Sequence, residues 1–202
     1  MIKEFGGKVA SVWEGLRPVT KKMLVGAMKA GDAPTSQAPK SYYDAHADWE
    51  VSRLLSALDE QSSTTEIKRD TTKLHEIKEL AETCARILES QSASAEVFIQ
   101  LATRAIRESD YRRVDRLADR LAERYSAGEI AEVVRQTDMP QIRAIAYETL
   151  AMLPVENIVP LLDDTLYSGI AAAALEQKAF EFDSDEARDV LDQYDNGMLG
   201  EA

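Results

Sequence analysis

The chain has 202 residues, 45% hydrophobic and 30% charged, a formal net charge of −12 and a single cysteine, Cys84. That charge argues against general affinity for phosphate backbones, which attract a basic footprint, and one cysteine excludes an intrachain disulfide. No apolar run nears the ~18 residues of a membrane span, and 6% aromatic residues with nine glycines suit helices better than a strand-and-turn fold.

Residues 1–30 read as an amphipathic, basic leader. Ile2, Phe5, Val9, Val12, Trp13 and Leu16 step by three and four, which lays one apolar stripe along a helix. Gly6 and Gly7 weaken that helix by about 1 kcal/mol each relative to alanine. Pro18 kinks it or opens a second helix, in which Val19, Met23, Leu24 and Ala27 keep the spacing. Lys3, Lys8, Arg17, Lys21, Lys22 and Lys29 stand against Glu4 and Glu14, so residues 1–31 carry +4 and the remainder −16. The charges at Lys8, Glu14, Arg17, Lys21 and Lys22 interrupt any secretory apolar region, and the chain reads as cytoplasmic. A face of Ile2, Phe5, Val9, Trp13, Leu16 and Met23 suits a partner's groove, the chain's own acidic body or an anionic membrane surface.

Residues 31–41, GDAPTSQAPKS, have no period and contain Pro34 and Pro39. They read as a tether spanning at most about 35–40 Å. Residues 42–90 predict a helical hairpin. Its first helix carries Ala47, Val51, Leu54, Leu55 and Leu58 on one side, to residue 60. Ser63 with Glu66 forms a capping box for a second helix running to residue 89, with Ile67, Leu74, Ile77, Leu80, Ala81, Cys84, Ile87 and Leu88 along one side. A short polar turn between two long helices makes them antiparallel.

Residues 95–195 predict helix pairs stacked in order. Ile130, Thr137, Ile142, Ala144, Ala146, Glu148 and Ala151 recur 28 residues later as Ile158, Thr165, Ile170, Ala172, Ala174, Glu176 and Ala179. In the other direction Arg135, Asp138, Ile142 and Ala146 correspond to Arg107, Asp110, Val114 and Ala118. A fixed period of this size marks supersecondary units that hide their apolar faces only by stacking. The expected pairs are 95–107 with 111–125, 128–136 with 139–153, and 155–163 with 165–181. Ser126 with Glu129 and Asp138 with Gln141 supply caps. A last helix, 184–195, starts from Asp183 and turns Asp185, Glu186, Asp189 and Asp192 outward, as a polar end of a stack.

Segment 137–153, TDMPQIRAIAYETLAML, contains Asp138, Pro140, the pair Ile142–Arg143, the small residues Ala144 and Ala146, and Leu150. In these positions it resembles the HEAT repeat. The resemblance implies a right-handed stack of helix pairs with the second helices lining a concave face. It also implies aspartate and arginine contacts between adjacent repeats, and small residues where two helices approach closely. The flanking repeats depart from the motif: Arg112 and Ser168 stand at the proline position, Asp115 and Ala171 at the arginine position. The expected fold class is all-α, a short HEAT-like superhelix preceded by a helical hairpin and the amphipathic leader.

Residues that carry chemistry are sparse. His46 and His75 are the only histidines, and Cys84 sits on an apolar stripe, where a buried thiol is the ordinary outcome. His75–Glu76 is a single pair where the iron-binding HEAT-like hydroxylases need several. The acidic stretch EFDSDEARDVLDQYD lacks the glycine and distal glutamate of an EF-hand loop. There is no P-loop, G-x-G-x-x-G or G-x-S-x-G. No catalytic, metal-binding or cofactor-binding residue is therefore assigned. Among the clustered arginines, Arg113, Arg116, Arg120 and Arg124 form either ion pairs with Asp115, Asp119 and Glu123 or a patch for a carboxylate- or phosphate-bearing partner. The expected function is a non-catalytic protein–protein interaction module, an adaptor or assembly subunit binding through the repeat surface and the leader. A peripheral membrane protein anchored by residues 1–30 is the alternative, and a metal-dependent enzyme comes third. Nucleic acid is not an expected partner.

Overall fold

The computed structural model describes residues 2–30 and 43–197, and the predicted tether at 31–41 lies outside them. Among the described residues the fold is all-α, with twelve α-helices, two short 3-10 turns and no strand. It divides between Ser92 and Ala93 into two compact units.

The first unit is built on a hairpin of α3 (Ala45–Ser62) and α5 (Thr71–Gln91), with the short α4 (Thr65–Arg69) between them. Ala47, Glu50, Val51, Leu54, Leu55 and Leu58 follow the 3–4 spacing and are all buried, facing a matching stripe of Ile77, Leu80, Ala81, Cys84, Ile87 and Leu88. The single helix expected after residue 63 is broken. Its cap is Thr64, which accepts the Ile67 N–H, and Asp70 ends α4 and caps α5 by accepting the Lys73 N–H at 3.0 Å. An aspartate followed by two threonines competes with helix continuation through its own side-chain bonds. Ahead of the hairpin, a 3-10 turn at Ile2–Phe5 leads into α1 (Gly7–Gly15), and α2 spans Pro18–Ala30. α1 packs on α3, and α2 on α5 and α3. Gly6 sets the entry angle: its φ is 110°, and a Cβ there would stand 2.8 Å from the Gln61 side chain.

The second unit contains the predicted pairs. α6 (Ala95–Arg107) pairs with α7 (Tyr111–Arg124), and α8 (Ala127–Gln136) with α9 (Pro140–Met152). α10 (Val155–Ile158) and a 3-10 turn at Val159–Leu161 precede α11 (Ser168–Glu181), and α12 (Asp185–Asp195) lies against α11. First helices α6 and α8 are neighbours, and second helices α7, α9 and α11 lie side by side. α6 ends in a Schellman motif: Ser109 takes φ 58°, and the Asp110 and Ser109 N–H groups return to the carbonyls of Ala105 and Ile106.

Several expected boundaries shift for local reasons. Pro140 occupies the first position of α9, which makes Met139 the cap and leaves Asp138 exposed. Arg143 donates to the Thr137 carbonyl at 2.6 Å, within its own repeat rather than to a neighbour as the HEAT resemblance implies. Pro160 lacks an N–H, so the helix expected over 155–163 stops at Ile158. α11 starts three residues late because Asp164 accepts the Leu166 N–H and prolongs the turn. α12 is capped by Ser184, not Asp183, which takes a left-handed φ of 52°.

One cap joins two layers. Ser126 caps α8 as expected, but the Glu129 carboxylate does not close the box on itself; it accepts the Ala95 N–H of α6 at 2.7 Å. Ser94 supplies no side-chain cap there. Glu129→Ala is expected to cost about 1 kcal/mol, while Glu129→Gln, which keeps an acceptor, recovers most of it. Thermal melting of the pair checks this; equal melting of all three proteins contradicts it.

Candidate functional site

The sides of α7, α9 and α11 that turn away from the core form one surface. On α9 the core side is Ile142, Ala146 and Leu150, which leaves Gln141, Ala144, Glu148 and Met152 exposed at helical spacing. On α11 Ala171, Ala174, Leu175 and Ala179 face inward, and Gly169, Glu176 and Phe180 face out. The 28-residue period aligns α9 with α11, so that Met152 and Phe180 are equivalent positions, as are Glu148 and Glu176. Lys178 Nζ donates to the Ala151 carbonyl at 3.1 Å and fastens the last turn of α11 to the last turn of α9. Met152 is 64% exposed, Phe180 82% and Phe182 48%. Met152 and Phe180 are thus large apolar side chains left open on the last turns of adjacent helices.

The surroundings are strongly acidic. Residues 140–197 contain twelve carboxylates against Arg143, Lys178 and Arg188. All three cations are engaged within the chain: Arg143 with the Thr137 carbonyl, Lys178 with that of Ala151, and Arg188 with Asp183, Asp185 and the Ala179 carbonyl. Glu148, Glu176, Glu181 and Glu186 stay exposed around the row. Deeper in, Glu132 links α8 to the turn before α11. It accepts from Arg135, Gln136 and the Tyr167 hydroxyl, and the Arg135 guanidinium foremost holds its carboxyl down at about 2.

The arginine patch is only partly assembled. Arg113, assigned from sequence to the surface, is 5% exposed, because it shares the core-facing 3–4 spacing with Leu117 and Leu121. Arg116 and Arg124 are exposed and Arg120 is half-buried.

The leader face is redirected more thoroughly. Phe5, Val9 and Leu16 are buried within the first unit, which withdraws them as a surface for a groove or a membrane; Ile2, Trp13 and Met23 are half-buried. A polar clamp near the start of α2 holds it, and no sequence assignment included the residue at its centre. Glu50, 1% exposed, accepts the Arg17 backbone N–H at 2.6 Å, Arg17 Nε at 3.0 Å and the Thr20 hydroxyl at 2.5 Å. Arg17 Nη1 and Nη2 reach Asp44, the cap of α3, at 3.0 and 2.7 Å. Burial pushes the Glu50 carboxyl up, but the bonds from Thr20 and Arg17 outweigh it and leave it below its usual range. The Arg17 guanidinium, with the Ala47 N–H, holds Asp44 well below the carboxylate range. The available signal was a glutamate three residues after Ala47 and four before Leu54, on the core side of α3.

His46 packs its ring 5.5 Å from that of Trp49, and Cys84 is buried on α5. Among the described residues no group of three His, Cys, Asp or Glu side chains is arranged to hold a metal ion. No described helix is long and apolar enough to cross a membrane. Comparison with protein-family models, with curated proteins and with solved structures gives no match to this chain.

Proposed function

We propose that the chain is a non-catalytic protein-binding module, an adaptor or assembly subunit, whose second unit is a short HEAT-like stack presenting the outer faces of α7, α9 and α11 to a partner protein. The observation that carries this reading is the aligned, open row of Met152 and Phe180. Layering of first helices on first and second on second supports the HEAT-like assignment, as does the run of buried alanines between α8, α9 and α11. The leader contributes by completing the first unit, since its largest apolar side chains lie inside that unit.

Affinity capture with the intact chain, with Phe180→Ser and with Trp49→Ser tests this reading. Phe180 is so exposed that its replacement is expected to shift stability by no more than about 0.5 kcal/mol. Phe180→Ser is expected to lose partners that the intact chain and Trp49→Ser both retain. Identical partner sets from all three proteins would remove this face as the interface.

A further inference from the structure

The Met152–Phe180 row and its surroundings specify the chemistry of what covers them. We infer that the occupant is a positively charged amphipathic helix of a partner protein, with apolar side chains on the row and Lys or Arg side chains over the flanking carboxylates. This rests on the protein-binding reading above and narrows it to one class of ligand.

The spacing comes first. Met152 and Phe180 are equivalent positions on packed neighbouring helices, whose axes lie about 8–10 Å apart. A helix laid across α9 and α11 presents residues i and i+7 on one side, about 10.5 Å apart at 1.5 Å per residue. Two large apolar residues one heptad apart therefore match the row.

Charge selects the flanks. Glu148 and Glu176 stand four residues before Met152 and Phe180 on the same exposed faces, so a carboxylate row runs beside the apolar row one helical turn away. Glu181 and Glu186 continue the negative field, and every cation of residues 140–197 is already bonded inside the chain. A covering segment without positive charge would bring an apolar surface onto these carboxylates; a basic one supplies counter-ions for them. On α7 the exposed side mixes Arg112 and Arg116 with Asp115, Asp119 and Glu123, which confines the basic flank to α9, α11 and α12.

The test titrates the full chain with a synthetic 18-residue Leu/Lys amphipathic helix and with its Leu/Glu counterpart, followed by fluorescence anisotropy and by backbone amide NMR shifts. The Leu/Lys peptide is expected to bind with its shifts centred on the last turns of α9 and α11. Phe180→Ser is expected to weaken binding at least tenfold, the double variant Glu148→Gln/Glu176→Gln severalfold, and the Leu/Glu peptide is expected not to bind. Leu/Lys binding indifferent to Phe180→Ser overturns the inference, because charge alone then accounts for it. Equal binding of the Leu/Glu peptide at the row overturns the basic class while the protein-binding reading stands. Absence of peptide binding, with a dimer in sedimentation that Phe180→Ser dissociates, overturns the inference and makes a second copy of this chain the occupant.

Discussion

Glu50→Ala is expected to lower the stability of the first unit by about 2–4 kcal/mol and to loosen α1 and α2 from the hairpin. The loss does not come from a surface ion pair, since the Arg17–Asp44 part of the clamp is solvent-exposed and adds little. It comes from what stays behind: the buried Thr20 hydroxyl and the Arg17 N–H lose their acceptor at a helix start. Urea unfolding followed by the fluorescence of Trp13 and Trp49, with limited proteolysis of the leader, measures both effects. A loss below 1 kcal/mol, or a leader as resistant to protease as in the parent, contradicts the clamp. Glu50→Gln keeps an oxygen acceptor for Thr20 and is expected to fall between the two.

The same carboxyl sets a pH dependence. The folded-state pKa of Glu50 is depressed, as is that of Asp44, so both contribute stability above their unfolded values of 4.5 and 3.8 that is lost as pH falls through the folded ones. Asp48 opposes them. Burial, against bonds from the Tyr43 and Ser92 hydroxyls, raises its pKa, so its contribution is fully present below 3.8 and is lost as pH rises. Asp70, lowered chiefly by the Lys73 N–H it accepts, sides with Glu50 and Asp44, and three lowered groups against one raised one predict net destabilisation of the first unit below pH 4.5, with a shallower slope in Glu50→Ala.

In the second unit the largest expected loss follows Phe98→Ala, about 3–5 kcal/mol. Phe98 is 1% exposed on α6 and meets the Tyr125 ring edge-on at 5.9 Å. α6 packs on α7, α8 and α9, so the cavity would open where two layers join. Phe98→Leu retains most of the volume and is expected to cost less than half as much. Denaturant midpoints of the three proteins decide it, and a loss near 1 kcal/mol for alanine would show that the layers collapse onto the void.

Helix existence and order were legible because the 3–4 spacing of apolar residues is unbroken through α3, α5, α6 and α8. Helix starts were less so. Thr64, Met139 and Ser184 each displaced an equally plausible neighbour, since capping is decided by one residue's φ and ψ. The arginine surface was misread at Arg113 because charge was weighed before its register with Leu117 and Leu121. The leader stripe was visible, but periodicity shows that a face is apolar and not what covers it. The Met152–Phe180 row was within reach, because extending the 28-residue comparison by one residue past Ala151 and Ala179 brings the two together.

The bond from Glu129 to the start of α6 bears on the order of synthesis. Thirty-four residues separate donor from acceptor, so when α6 leaves the ribosome the carboxylate that completes its first turn has not yet been made. The opening layer therefore waits, incompletely capped, for the layer after it, and the growing chain closes its beginning from a point further along.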